Sequence, residues 1–539
     1  MSKRAQLGII FFLCVSGFLI VASGLRRHFG FPLDDSWIHQ TVARNLVQTH
    51  VLGFLPGVHS SGSSSLLWTL VLTTNYLFFK MVDPIIFCLV LGALLIGATG
   101  VLLKRNADLD GVSTYEAWIL GLAPVLSGNF LWLGTTGMEH LLFVTLSLGA
   151  FTAWFVGSGK HRRLSLIATA LLLALLALTR PEGVVLIGVL ILFRTRANRS
   201  WLDCSFLLLA GAVAEAISIR INWVSSHTLL PLTMKGRQWL YFGGHPISFQ
   251  NRAGLEARII SRTLSTWTIG QVFTQHIPHS LLGLAGVCCL VGVAALMIFY
   301  FKERRYRTSA SLLWMLVLNV VYVIILPSPG QGSRYQPFQL LFIIPLAAIG
   351  ATRLVRWWFR SREDKRTSTM VDFRVRTVVL AALAVSTFVS IHKWRMVLSE
   401  GIDQINVEHG AMATWVLQNI PADDISKRQL AVFDIGRIGY SINGSLVDLG
   451  GLTDADYLPY LFRGDVSLFL KQHRVQYIIL PGSQEHPEQY VGKLIPEYRK
   501  FLTLESLKTF CAPEVEATQV MMMTGAAAPC QTAYLIHYI

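Results

Sequence analysis

Long apolar runs separated by short polar stretches fill the first 392 residues. They fall at 6–24, 84–103, 115–133, 138–157, 164–179, 182–194, 203–223, 278–301, 310–326, 336–352 and 377–392. Most come close to or exceed the ~18 apolar residues that let a helix cross a bilayer. A further run, 64–80, starts polar and contains Thr69, Thr73, Thr74 and Asn75. The pattern changes after 393. Ala413 to Asn419 has helical spacing and ends before Pro421, Leu430 to Phe433 is a short apolar strand, and Leu446 to Leu449 is another. Val466 to Gln472 is helical, Val475 to Leu480 reads as a strand, 513–533 as a loop, and Tyr534 to Tyr538 as a last strand. Strands alternating with helices indicate a small α/β domain. The expected fold is a polytopic α-helical membrane protein with about eleven transmembrane helices over 1–392, followed by an α/β domain over 393–539.

Composition supports this division and charge orients it. Of 539 residues, 53% are hydrophobic and only 14% charged, against about 25% charged in soluble proteins. The net charge of +15 would suggest nucleic acid in a soluble chain. Here the basic residues cluster in short loops between apolar runs, which the positive-inside rule explains without a nucleic-acid partner. If 64–80 does not cross, the N-terminus and the basic loops at Lys104-Arg105, 160–163, 194–199, 302–307 and 353–376 share the cytoplasmic side. If it crosses, those loops move outside. The expectation is therefore eleven spans, a juxtamembrane or half-inserted helix at 64–80, and a C-terminal domain outside the cytoplasm. The apolar core of the first run exceeds a signal peptide's h-region, so it reads as an uncleaved span. Five cysteines lie in apolar runs, while Cys511 and Cys530 lie in the tail, where an extracytoplasmic location would permit a disulfide that the sequence does not decide.

This topology gathers the remaining polar chemistry on the outer side. The first outer loop, 25–83, holds adjacent acids at Asp34 and Asp35. Ile38, Val42 and Leu46 follow at helical spacing, and then comes a flexible stretch, His59-Ser60-Ser61-Gly62-Ser63-Ser64-Ser65. One Asp could serve as a helix N-cap. The pair could instead supply a general base and a group that tunes it, or hold a divalent cation (Mg2+, Mn2+ or Ca2+). His39, His59, Glu139, Arg180, Glu182, Lys235, Arg237 and Arg334 also fall on this side and are candidate substrate-binding residues. The cationic ones read either as snorkelling or headgroup contacts or as a phosphate site. Arg180-Pro181-Glu182 reads equally as an ion pair across two helix ends. Glu215, inside a span, is expected to face Arg220 or to be a helix-interior carboxylate. Gly436 and Gly439 lack the dinucleotide fingerprint and suit a strand-to-helix turn. Walker A, H-E-x-x-H and G-x-S-x-G sequences are absent from the chain.

Six stretches taken in order resemble the GT-C class of polytopic membrane glycosyltransferases, in particular bacterial mannosyltransferase-like and arabinofuranosyltransferase-like enzymes. They are LDDSWIHQTVARNL with SSGSSSLLWTLVL; GTTGMEHLLFVTL; LALTRPEGVVLIGVL; LLPLTMKG; SRYQPFQLLFIIPLAA; and VFDIGRIGYSINGSLVDLGGLTD. The resemblance implies a polyprenyl-phosphate sugar donor and inverting transfer to an envelope glycan, lipid or protein on the outer face of a bacterial inner membrane. It also implies an essential acid in the first outer loop, here Asp34 or Asp35. The chain departs from relatives at Ser36-Trp37-Ile38-His39 and at Ser60 to Ser64. The rival class is a transporter or flippase of a lipid-linked saccharide, which predicts ionisable residues within the spans. In this chain the acids crowd the outer surface.

Overall fold

A computed structural model describes residues 1–539 except 27–28, 81, 157–160, 243–278, 326–329, 361–364, 483–487 and 514–529. Most of the expected outer segment 224–277, the start of the run at 278, and most of the expected loop 513–533 lie outside the described residues.

Apolar helices build the first part, and their starts are written in the sequence. Ser2 caps Lys3–Ala22, Asp83 caps Pro84–Leu109 with a proline in the first turn, and Ser200 with Asp203 forms a capping box on Trp201–Ser226. Among the described residues, six helices are long and apolar enough to cross a membrane, and His140–Trp154, Pro181–Leu192 and Leu66–Phe78 are shorter apolar helices. The 13-residue helix Leu66–Phe78 is about 20 Å long at 1.5 Å per residue. That is short of a ~30 Å hydrocarbon core and fits a half-inserted segment.

Two expected spans differ in detail. The run 115–133 is three short helices, Thr114–Gly121, Ala123–Leu126 and Gly128–Leu133. Pro124 cannot donate to the helical ladder. Ser127 leaves helical geometry at φ −122° so that its hydroxyl can cap Gly128–Leu133 through the Phe130 N–H. The last apolar run belongs to a 40-residue helix, Lys365–Gln404, which passes through a π-turn at Ile405–Gly410 into Ala411–Asn419. At the end of the bundle that carries the basic loops, Arg353 grips Glu116 with two bonds of 2.7 and 2.6 Å. Asp110 there accepts the Thr308 N–H at 2.8 Å.

The tail folds around a five-stranded sheet in the order β2-β1-β3-β5-β4. The strands are β1 (Leu430–Val432), β2 (Val447–Asp448), β3 (Tyr477–Pro481), β4 (Leu502–Cys511) and β5 (Cys530–Tyr538). β1 runs parallel to β2 and β3, while β5 is antiparallel to β3 and β4. The helix Ile435–Ile442 links β1 to β2, and Leu458–Arg463 and Val466–Gln472 link β2 to β3. These crossovers are what parallel neighbours require. Sequence reading misses β4, because its residues 503 and 505–508 are mostly exposed and polar on a sheet edge. It also starts β5 four residues late.

The tail is welded to the first outer loop. Ile38, Val42, Phe54 and Leu55 share a buried cluster with Met412, Val416, Ile435, Ile438 and Leu446. The opposite face of the same helix, through Trp37 and Ala43, packs on Trp68, Leu72, Ile85 and Cys88. Each fully buried side chain of this kind contributes roughly 1.5–3 kcal/mol.

Cys511 and Cys530 face each other at the paired ends of β4 and β5 and form a disulfide. Maleimide labelling of unreduced protein is expected to spare both, and reduction is expected to cost the tail about 3 kcal/mol, read as a lower unfolding midpoint. Free labelling of both thiols before reduction would overturn the pairing.

Candidate functional site

The acids of the first outer loop open the helix Asp34–Thr49. Neither caps it, since the N-cap position is Leu33 and no side chain caps there. Asp34 instead caps a different helix. Its carboxylate accepts the Gly436 N–H at 2.7 Å and the Arg437 N–H at 2.8 Å, at the N-terminus of Ile435–Ile442, where backbone donors and the helix dipole favour an anion. His409 Nδ1 lies 2.9 Å from Asp34 Oδ1. Contact is close enough to require glycine, because a Cβ on Gly436 would sit 2.0 Å from the Asp34 carbonyl oxygen.

Asp35 points elsewhere. Its Oδ2 takes the Arg237 guanidinium at 2.9 Å and the Arg334 guanidinium at still closer range. Burial works against the Asp35 charge, but the two arginines outweigh it and bring the carboxyl down to about 2. A tight turn delivers Arg334, with Gly330, Gly332 and Ser333 at φ of +65°, +62° and +55°. Gly332 is pressed against Trp132, which leaves no room for a Cβ. Arg237 rides on the helix Leu232–Phe242. That helix buries Leu232 and Trp239 in the tail and passes so close at Gly236 that a Cβ would meet the Gly451 carbonyl oxygen at 2.6 Å. The serine loop pins its start, since Ser61 Oγ accepts the Leu232 N–H at 3.2 Å.

A third arginine completes the site. Arg180 donates to Glu139 at 2.7 Å, to Glu182 at 2.5 Å and to the Tyr322 hydroxyl at 2.9 Å, and it lies 3.1 Å from His140 Nε2. Tyr322 donates in turn to Glu182. The guanidiniums of Arg180, Arg237 and Arg334 lie 5.3, 5.2 and 5.2 Å from the centre of the Tyr335 ring, within cation–π range. His39 bridges the serine loop and this network, with Nδ1 3.1 Å from Ser63 Oγ and Nε2 3.6 Å from Glu139. Burial lowers the pKa of His39.

The structure thus brings together Asp35, His39, Glu139, Arg180, Glu182, Arg237 and Arg334, with Asp34 one residue away and turned to the tail. His59 is exposed at the loop's edge. Lys235 is half-buried and makes no ion pair among the described residues. Glu215 makes no ion pair with Arg220 among the described residues; its Oε1 is buried without a hydrogen-bond partner. Sequence reading misses Tyr335, Tyr322, His140, His409 and the Gly436–Arg437 backbone. Only the strand-to-helix turn at Gly436 offered a signal, because such a turn creates an anion-binding helix end.

Two cavities adjoin the site. One, of about 380 Å3, is lined by Arg180, Arg237 and Tyr335 together with the apolar Val184, Val185 and Leu230. The second, of about 410 Å3, shares Ser64, Pro181, Leu230 and Pro231 with the first and is lined further by Ser60, Ser61, Ser63, Glu215 and Asn222. No three His, Cys, Asp or Glu side chains converge on a metal position among the described residues. Asp34 is taken by backbone N–H groups and Asp35 by guanidiniums, so these donor sets do not fit a divalent cation.

Comparison with solved structures places this architecture. ArnT from Cupriavidus metallidurans matches with a TM-score of 0.55 at 12% identity, over 98% of this chain and 98% of that one. The archaeal oligosaccharyltransferase AglB from Archaeoglobus fulgidus, in complex with an inhibitory peptide and a dolichol-phosphate, matches with a TM-score of 0.51 at 12% identity, over 95% of this chain and 74% of that one. The fold is the GT-C fold. Residues 399–523 match a family described as a domain of unknown function, DUF8728. Among curated proteins, none matches the sequence. The GT-C frame accounts for the multi-pass membrane part, and the DUF8728 segment contains His409, Gly436 and Arg437, the residues that hold Asp34.

Two predictions concern this clamp. Gly436→Ala should force the tail off the Asp34 helix, lowering the tail's unfolding midpoint and exposing the 50–60 loop to protease; unchanged protection would show that Gly436 does not set the contact. The second is pH dependence. His409 is held up to about 9, since the Asp34 charge and hydrogen bond overcome burial. Burial raises Glu408 to about 8 and Asp434 to about 6. All three bind protons more tightly in the docked tail than when released. Their stabilisation is therefore present in acid and is lost as pH rises through about 6 to 9. The tail's unfolding midpoint should fall between pH 5 and 9, and His409→Gln should flatten the upper part of that slope.

Proposed function

We propose that the chain is a membrane glycosyltransferase that moves a hexose or pentose from a polyprenyl-phosphate donor to a hydroxyl of an envelope glycan, lipid or protein. The carrying observation is the cavity of about 380 Å3 whose lining is divided between two arginines, Arg180 and Arg237, and apolar side chains such as Val184, Val185 and Leu230, with Arg237 paired to the Asp35 carboxylate. An amphiphile with an anionic head and a hydrocarbon tail suits that division. Guanidiniums are strong phosphate partners. The GT-C fold supports the reading, and one structure with this fold was solved with a dolichol-phosphate.

The donor's phosphate sits among Arg237, Arg334 and Arg180, with its prenyl chain along Val184, Val185 and Leu230. The sugar and the acceptor occupy the adjoining cavity, whose polar contacts come from Ser60, Ser61, Ser63, Ser64, Thr69 and Asn222 in a mostly apolar lining. Asp35 takes the proton of the acceptor hydroxyl as that oxygen bonds to the anomeric carbon. The bond from that carbon to the phosphate oxygen breaks with its electron pair, and the arginines stabilise the departing lipid phosphate. Attack opposite the leaving group inverts the anomeric centre. Asp34 fixes the loop to the tail and thereby positions Asp35. The basic loops support a bacterial inner-membrane location with the N-terminus cytoplasmic and the tail outside.

The test is sugar release from a panel of radiolabelled polyprenyl-phosphate sugars by purified full chain. Wild type should turn over one donor, and Asp35→Asn, checked for normal unfolding, should lose about 100-fold or more. Asp34→Asn should lose both activity and tail stability. No release with any donor, together with translocation of a lipid-linked sugar in vesicles, would replace the transferase with a flippase.

A further inference from the structure

The basin around Tyr335 holds as many acids as arginines. Glu139 and Glu182 are shared by Arg180, while Asp35 serves both Arg237 and Arg334 through the single oxygen Oδ2. One carboxylate oxygen therefore occupies the two guanidiniums nearest to it. Arg237 also lines the cavity, so a phosphate bound there would compete with Asp35 for it. Arg334 keeps only 2% of its side chain exposed and Arg237 16%, and Tyr335 stacks against both. The contact with Tyr335 does not depend on which anion the guanidiniums serve.

We infer that Arg237 and Arg334 mask Asp35 in the resting protein, and that the phosphate of an incoming prenyl phosphate draws them away and so frees Asp35 to act as a base. The inference rests on the reading of this cavity as a prenyl-phosphate site. A carboxylate shared by two guanidiniums is a poor proton acceptor, because its lone pairs are engaged and its charge is offset. A phosphodiester in the cavity competes for the same donors. During transfer the acceptor's proton passes to Asp35, the new carbon–oxygen bond forms, and the bond to the phosphate breaks with its electrons. The product phosphate monoester carries more negative charge than the diester and holds the arginines more strongly. When that product leaves, the arginines return to Asp35 and its proton departs to water. The base is thereby exposed only while a phosphate is bound, and product release resets it.

Competition of this kind is reciprocal. If phosphate draws the arginines from Asp35, Asp35 must weaken phosphate binding. The experiment measures binding of a short-chain polyprenyl phosphate to the full chain in detergent by calorimetry. Asp35→Asn should bind about tenfold more tightly than wild type, and Arg237→Gln more weakly. In the Arg237→Gln background, the gain from Asp35→Asn should shrink. Asp35→Ser serves as the second variant if the Asn protein does not purify folded. Equal or weaker binding by both Asp35 variants would overturn the mask and leave Asp35 as a brace that builds the arginine site. Tighter binding by Asp35→Asn, with no sugar release from any donor by the wild type, would keep the mask and remove the transferase. Sugar release with no gain in binding would do the reverse.

Discussion

Successive residues of an α-helix project about 100° apart, and this constraint decides what two neighbouring aspartates can do. Asp34 and Asp35 open the same helix, so one cannot face the cavity without turning the other away from it. The structure uses both directions. Asp34 meets the N-terminus of a tail helix, and Asp35 meets two arginines from distant parts of the chain. Rotating this helix would lose both sets of partners together. What resists rotation is the packing on its two faces, with Ile38 and Val42 in the tail's core and Trp37 and Ala43 against Trp68 and Ile85.

The same logic explains the density of charge behind Asp35. Buried guanidiniums are costly unless paired and hydrogen-bonded. Arg180 meets that requirement locally, with Glu139, Glu182 and Tyr322. Arg237 and Arg334 meet it through Asp35, on a loop 202 and 299 residues away in the sequence. The cationic site is therefore complete only when the first outer loop is docked, and docking depends on the tail. Site chemistry and domain packing are one problem in this protein.

That dependence marks where sequence reading stops. The amphipathic spacing of Ile38 and Val42, the grouping of Arg180, Arg237 and Arg334 with the acids on one side of the apolar runs, and the strand–turn–helix at Leu430 to Tyr440 are all visible as local patterns. They were visible because burial and topology bias leave periodic or compositional traces. Which arginine meets which acid leaves no such trace. The reading of one of the two acids as an N-cap names the right interaction on the wrong helix, since Asp34 accepts from the N–H groups of residues 436 and 437. His409 sits in a π-turn within a helical run, where nothing local sets it apart. Tyr335 lay in a recognised stretch, but its place among three guanidiniums depends on the turn at Gly330 to Ser333.

The tail is therefore part of the site. It contacts Asp34 mainly through backbone N–H groups, which any residue but proline at 437 would supply, and it admits that contact only because position 436 has no side chain. Arg437 adds a second hold by lying 4.3 Å over the Trp37 ring, on the helix face opposite Ile38 and Val42. The helix that presents Arg237 is seated on the same domain, through Leu232, Trp239 and the Gly236–Gly451 approach. One domain thus fixes the acid through Asp34 and one of its two cations through Leu232–Phe242, and the membrane helices fix the other. A site assembled from three such bodies has its geometry set where they meet, and Asp35 is the group at that junction.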